Sequence, residues 1–241
     1  MNQYYQETDF DIIPRHIKTE IYEMAMRRSD ELEFIHRPWR DINYDSTQEQ
    51  IEEKVGIKLG REFKRRRLIL AREFGHRGTG VDEIVIDQHR LPKDLSQPIV
   101  DETNRLLGID KEQIDVIVQI QDGGNLLYPH RGHGRVSSLF CLLAGTGEKT
   151  TWYRETEPFE VYDIYKIPDY SKLEEDCVTC LREDVWTTFN HYAWHSVKRN
   201  GNVGTRININ INFESLTYEQ LMETIKNVGG YRQQSSFNQP E

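Results

Sequence analysis

The sequence predicts a mostly β fold of the jelly-roll, sandwich or small-barrel kind. Two observations carry this. From residue 113 onward the chain reads as short apolar or alternating runs: QIDVIVQIQ, NLLY, RVSSLFCLLA, TTWYR, PFEVYDIY, VWTTFN, WHSVKR and RINININ. Polar turn signals separate them, the strongest being Asp122-Gly123-Gly124 and Asn200-Gly201, and closely spaced short strands of this type indicate a closed or two-layered β architecture. In the last run, Ile207, Ile209 and Ile211 alternate with Asn208, Asn210 and Asn212. Side chains alternate across a strand, so this pattern predicts one buried and one polar face.

The preceding elements follow in order. Pro14 opens a helix over RHIKTEIYEMAMRRSDELEFI, with Ile17, Ile21, Met24 and Leu32 on its apolar stripe. A second short helix is predicted over 47–59, where Thr47 and Gln50 form a capping-box pattern. RRRLILARE (65–73) and VDEIVIDQH (81–89) read as strands, with Gly75, Gly78 and Gly80 as turn signals between them. SQPIVDETNRLLGID is a helix capped by Ser96 and stopped by Gly108, which packs Ile99, Val100, Leu106 and Leu107 on a sheet. LTYEQLMETIKN (216–227) is a C-terminal helix, and YRQQSSFNQPE lacks apolar periodicity. The expected organisation is an N-terminal helical extension over 1–60, a β domain over 61–228 and a flexible tail over 229–241.

Composition narrows the function. The 241 residues carry 31 basic and 40 acidic side chains, a formal charge of −9. That balance argues against broad nucleic-acid or membrane binding, which needs a basic surface. Lys64-Arg65-Arg66-Arg67 reads as a solvated face. Neither a secretory signal nor an apolar run near ~18 residues is visible, so a cytoplasmic protein with no membrane span is expected. Cys141 lies in an apolar run and reads as a small buried hydrophobe, while Cys177 and Cys180 form a lone C-x-x-C and read as free thiols.

The histidines carry the chemistry. His130 and His133 stand in YPHRGHGR, before the apolar strand, and His195 stands in NHYAWHSV near the end of the β region. Neutral imidazole is a common ligand for iron, copper and zinc. An alternative pair, His191 and His195, has the i, i+4 spacing of a helical metal site, but WTTFN before it reads as strand. Trp152, Tyr153 and Trp194 read as core or cavity lining.

The order Pro-His130-Arg-Gly132, apolar strand, Gly-Thr-Gly turn, aromatic strand, WHSV and then Arg206 in TRININ resembles the 2-oxoglutarate-dependent iron(II) oxygenases, in particular compact members from bacteria and their phages. The resemblance covers about residues 113–213 and implies a double-stranded β-helix. It implies that His130 and His195 bind iron(II) and that Arg206 pairs with the distal carboxylate of 2-oxoglutarate through its planar fork. Asn208 matches the position where many relatives have a serine on the same carboxylate. Arg135, just after the first motif, either faces this pocket or makes a surface ion pair. The implied activity is oxidation, most simply hydroxylation, of a C–H bond in a small molecule or a protein side chain.

One position departs from the family. A glycine, Gly132, stands where the metal-binding carboxylate is expected, and a standard facial triad is two histidines and one carboxylate. Two subgroups share this feature: the aspartyl/asparaginyl β-hydroxylases, with water at that position, and the iron halogenases, with halide. His133 reaches the position only if the neighbouring glycines bend the strand. Hydroxylation, halogenation and a non-catalytic β-sandwich that has lost its metal and binds a partner, such as a phage protein, remain open at this point.

Overall fold

The alternation of residues 206–213 organises the molecule, but with both faces buried. The computed structural model describes residues 3–34, 85–122, 126–131, 136–145, 147–159, 170–199, 204–213 and 215–230. Along β11 (Arg206–Phe213) every residue is buried. Ile207, Ile209, Ile211 and Phe213 belong to a core shared with helices, whereas the Arg206–Asn212 row faces the second sheet. The expected polar face is therefore interior, not solvated.

Two antiparallel sheets result. The larger has seven strands, in the order β1-β9-β6-β11-β4-β3-β2. These are β1 (Tyr5–Glu7), β2 (Glu33–Phe34), β3 (Val85–Arg90), β4 (Ile114–Asp122), β6 (Ser137–Ala144), β9 (Trp186–Asn190) and β11. The smaller has the order β5-β10-β7-β8, built from β5 (Leu126–His130), β7 (Lys149–Glu155), β8 (Leu173–Thr179) and β10 (Trp194–Lys198). From β4 to β9 each successive strand lies in the sheet opposite its predecessor except at β7–β8, and β10 and β11 then divide between the sheets. This winding is a double-stranded β-helix jelly roll.

The inner faces meet through aromatic rings. Phe189 of the large sheet lies 5.3 Å from Trp152 and 4.8 Å from His195 of the small sheet. Trp152 stacks on Tyr5 at 5.0 Å and on Tyr4 at 5.9 Å. The N-terminal strand thus closes the interior from the edge of the large sheet. Tyr4 also donates to Asp176 on β8, and burial followed by that carboxylate pushes its phenol up to about 12.

The outer face of the large sheet carries the helices. In α1 (Arg15–Arg27) Ile17, Ile21, Met24 and Ala25 are buried. Arg28, at φ 53°, ends the helix short of the expected Ile35 boundary, and Leu32 packs into the same core from beyond it. α2 (Lys93–Leu107) buries Leu95, Ile99, Thr103 and Leu107. It starts before the expected Ser96 cap: Pro92 occupies the N-cap and accepts from the Ser96 backbone N–H at 2.9 Å. Gly108 ends it at φ 67°, as predicted. α3 (Tyr218–Asn227) has a capping box in which Thr217 and Gln220 exchange hydrogen bonds of 3.2 and 2.8 Å.

Three strands escaped the sequence reading. β1 and β2 are too short to show a period. β8 is an edge strand whose LEEDCVT side chains are mostly exposed, so no apolar alternation marks it. The helix predicted over 47–59, the strand over 65–73, most of PFEVYDIY and the tail beyond residue 230 lie outside the described residues. Cys141 is buried, with its thiol pushed up to about 12 by desolvation, and neither Cys177 nor Cys180 is in a disulfide. Among the described residues no helix is long and apolar enough to cross a membrane.

Lys18 ties α1 to the sheet. Its ammonium is buried and reaches Asp11 at 2.8 Å and Asp184 at 2.6 Å. Burial pulls its pKa down, but the two carboxylates outweigh burial and hold it above the ordinary lysine value. A raised basic pKa stabilises the fold below the unfolded value of roughly 10.4, and this contribution fades as pH rises through the folded value. Lys18→Met is expected to remove this alkaline component of the denaturant-unfolding profile. By the same measurement Ile211→Ala should destabilise the protein by about 2–5 kcal/mol. Val178→Ala, at a residue 51% exposed, should change stability by less than about 0.5 kcal/mol.

Candidate functional site

Two histidines meet at one end of the small sheet. His130 is the last residue of β5, and His195 is the second of β10. They are direct cross-strand partners, with ring centroids 4.3 Å apart and planes tilted by 54°. The next pair along is Val197 with Leu127, so β5 carries one more residue than β10 across this interval. On a regular strand, residues three apart face opposite ways. The bulge absorbs the extra residue and turns His130 to the face of His195. Pro129, which lacks a ladder donor, is accommodated because β5 is an edge strand.

Each ring is oriented by its surroundings. The His195 Nδ1 lies 2.9 Å from the carbonyl of Ala193. A carbonyl only accepts, so Nδ1 carries the hydrogen, and in the neutral ring Nε2 is left as the lone-pair nitrogen. Phe189 meets the ring edge-on. Beyond His130, the Arg131 guanidinium sits 4.9 Å over Trp194 and 3.6 Å from Glu155. Glu155 in turn accepts from the Trp194 indole at 2.7 Å. Arg131 thereby anchors the strand end that presents His130.

His191 joins this cluster from the turn between β9 and β10, not from a helix, so the i, i+4 helical pairing with His195 does not exist. It is buried, 6.0 Å from the His195 ring, and its Nε2 is hydrogen-bonded to Ser138 Oγ at 2.8 Å. Among the described residues no three His, Cys, Asp or Glu side chains form a metal-binding group. Gly132, His133 and Arg135 lie outside the described residues.

Arg206 opens β11 on the interior face, cross-strand from Gln121 of β4. It is only 4% exposed. Its Nη1 donates to Asn208 Oδ1 at 3.2 Å, and its guanidinium lies 5.2 Å from the Phe140 ring centroid. Glu148 Oε2 is 2.6 Å from Nε, but the Nε–H does not point along that contact, so it is an ion pair and not an aligned hydrogen bond. Burial pushes the Arg206 pKa down, Glu148 opposes this, and Arg199 adds to it. A guanidinium has five donors; among the described residues this one makes a single hydrogen bond, to a neutral amide.

Asn208 is buried and bonded on both ends of its amide. Its Oδ1 accepts from Arg206 and, at 3.4 Å, from Gln121, while its Nδ2 donates to Gln119 Oε1 at 3.0 Å. It therefore orients Arg206 through Oδ1, while one of the two Nδ2 N–H donors is taken by Gln119. Sequence reasoning missed Glu148, Arg199, Phe189, Arg131 and Ser138. Only Glu148 had a visible cue, its place directly after the Gly145-Thr146-Gly147 turn.

No protein-family model and no curated protein matches the chain. Among solved structures it is similar to the ribosomal oxygenase YcfD of Escherichia coli, at 11% identity and TM-score 0.40, covering 96% of this chain and 54% of that one. In a second YcfD structure the match spans 42% of that chain, so this chain corresponds to about half of YcfD. It is also similar to the non-heme α-ketoglutarate-dependent epimerase SnoN of nogalamycin biosynthesis, at 13% identity and TM-score 0.39, covering 82% and 84% of the two chains. Hazelnut (Corylus avellana) vicilin follows at 9% identity and TM-score 0.30, covering 55% and 29%. At these values none of them assigns a role to a residue of this chain.

Proposed function

We propose that the protein is a 2-oxoglutarate- and iron(II)-dependent oxygenase acting as a hydroxylase. The observation that carries this reading is the direct pairing of His130 with His195, beside a buried Arg206 on the inner row of β11 that makes a single hydrogen bond among the described residues. The donor set fits a metal. Metal-binding imidazoles donate their other N–H to a carbonyl or carboxylate, which fixes the tautomer and the ring direction, and the Ala193 carbonyl does this for His195. Iron(II), when bound, supplies dioxygen activation coupled to oxidative decarboxylation of 2-oxoglutarate.

The protein's own part is positioning. Arg206 offers a buried fork suited to two parallel bonds with a carboxylate, and burial strengthens such bonds by excluding water. Asn208 and the Phe140 ring hold the fork in place. Trp152, Phe189, Tyr4 and Tyr5 close the interior and keep bulk water from it. The substrate is a C–H bond in a small molecule or a protein side chain.

Anaerobic iron(II) titration tests the metal. His130→Ala and His195→Ala should each abolish binding while leaving the β-sheet circular dichroism intact; wild-type affinity in either variant removes that residue from the site. Binding of 2-oxoglutarate tests Arg206. Arg206→Ala should weaken it by about 2–5 kcal/mol, as truncating one partner of a buried charge pair does. Arg206→Lys should recover only part of the loss, having no fork. Succinate formation with candidate substrates then tests turnover.

A further inference from the structure

The turn joining β6 to β7 reaches Arg206 at two points. Gly145 has φ 124°, and a Cβ there would lie 2.8 Å from Arg206 Cγ and 3.1 Å from Cβ. Only a glycine lets the backbone pass this close to the arginine stem. Two residues on, Gly147 has φ 83°, and the chain then delivers Glu148 into the interior, where its side chain is buried. Glu148 Oε1 accepts from Arg199 Nε at 2.9 Å, and Arg199 Nη2 donates to the Gln121 carbonyl at 3.0 Å. The other oxygen, Oε2, lies against Arg206 Nε at 2.6 Å.

Glu148 is therefore anchored on Arg199 by an aligned bond and meets Arg206 only as a counter-charge. Among the described residues Glu148 makes no hydrogen bond to the terminal nitrogens of Arg206; Nη1 bonds Asn208 through one N–H and Nη2 makes no hydrogen bond. The Arg206 stem is held by Gly145, its face by Phe140, its Nη1 by Asn208 and its Nε by Glu148. We propose that Glu148 is the positioning residue of the cosubstrate site: held by Arg199, it fixes Arg206 with the fork open to the distal carboxylate of 2-oxoglutarate. This rests on the function proposed above and adds two residues, Glu148 and Arg199, to the site. The gain is preorganisation, because the guanidinium need not be ordered when the ligand arrives.

The test is calorimetric binding to the cobalt(II)-loaded protein without oxygen, using 2-oxoglutarate and, as a probe lacking the distal carboxylate, 2-oxobutanoate. Glu148→Gln should weaken 2-oxoglutarate about tenfold, within the range of coupling between contacting residues, and leave 2-oxobutanoate and cobalt(II) binding unchanged. In an Arg206→Ala background the same substitution should cause no further loss. Glu148→Asp keeps the charge but withdraws it by one methylene, and should give an intermediate affinity; it carries the test if Glu148→Gln does not fold. Unchanged or tighter 2-oxoglutarate binding in Glu148→Gln overturns the proposal. So does an equal loss with and without Arg206, or a parallel loss for 2-oxobutanoate, since those are marks of general destabilisation. A wild-type protein that binds 2-oxobutanoate-type acids but shows no preference for 2-oxoglutarate overturns the cosubstrate reading and the role of Glu148 together.

Discussion

A central strand buried on both faces constrains everything around it. β11 has helices against its isoleucine row and the second sheet across from its Arg206–Asn212 row. Polar side chains on that inner row have no bulk water, and each unpaired donor or acceptor in such a place costs about 1–3 kcal/mol. The neighbouring strands supply partners in kind. Gln119 and Gln121 of β4 bond Asn208, and Asp115 accepts from Asn212 at 3.4 Å. Arg206 is the extreme case, because a charge must be offset as well as hydrogen-bonded. Glu148, itself paired with Arg199, supplies the counter-charge in the interior.

The same enclosure explains the histidine pair. An interior site needs side chains from strands that are neighbours in space but distant in sequence, and a jelly roll makes such neighbours at the ends of its small sheet. Along the chain 64 residues lie between His130 and His195; in the sheet the two are direct partners. The one-residue bulge then aims both rings inward. Rigid strands on either side hold these positions more tightly than a loop would.

The strands with a buried face were readable because burial imposes a period. QIDVIVQIQ, RVSSLFCLLA and RINININ all lie close to β4, β6 and β11, and Gly108 and the Thr217–Gln220 box mark helix ends where they were expected. β8 was not readable, since an exposed edge strand obeys no apolar period. Of the candidate residues singled out in the sequence, His130, His195, Arg206 and Asn208 fall on interior positions, while Gly132, His133 and Arg135 lie outside the described residues. What the sequence could not show was pairing. Nothing local says that Glu148 meets both Arg199 and Arg206, that His191 turns onto Ser138, or that the Asn208 amide bonds Gln119, Gln121 and Arg206. The polarity of the interior was likewise hidden, because Asn alternating with Ile reads the same whether the polar face meets water or another sheet.

Where the polar strain sits gives the last step. Among the described residues, Gln121 Oε1, Trp152 Nε1, Arg206 Nε and Asn210 Nδ2 are buried without an aligned partner. All four belong to side chains turned toward the interior between the sheets, on β4, β7 and β11. Each such group on the inner row carries a desolvation cost that a ligand able to pair with it would offset. A ligand that bound between the sheets and paired with these groups would raise resistance to unfolding by mass action, through the inner row of β11.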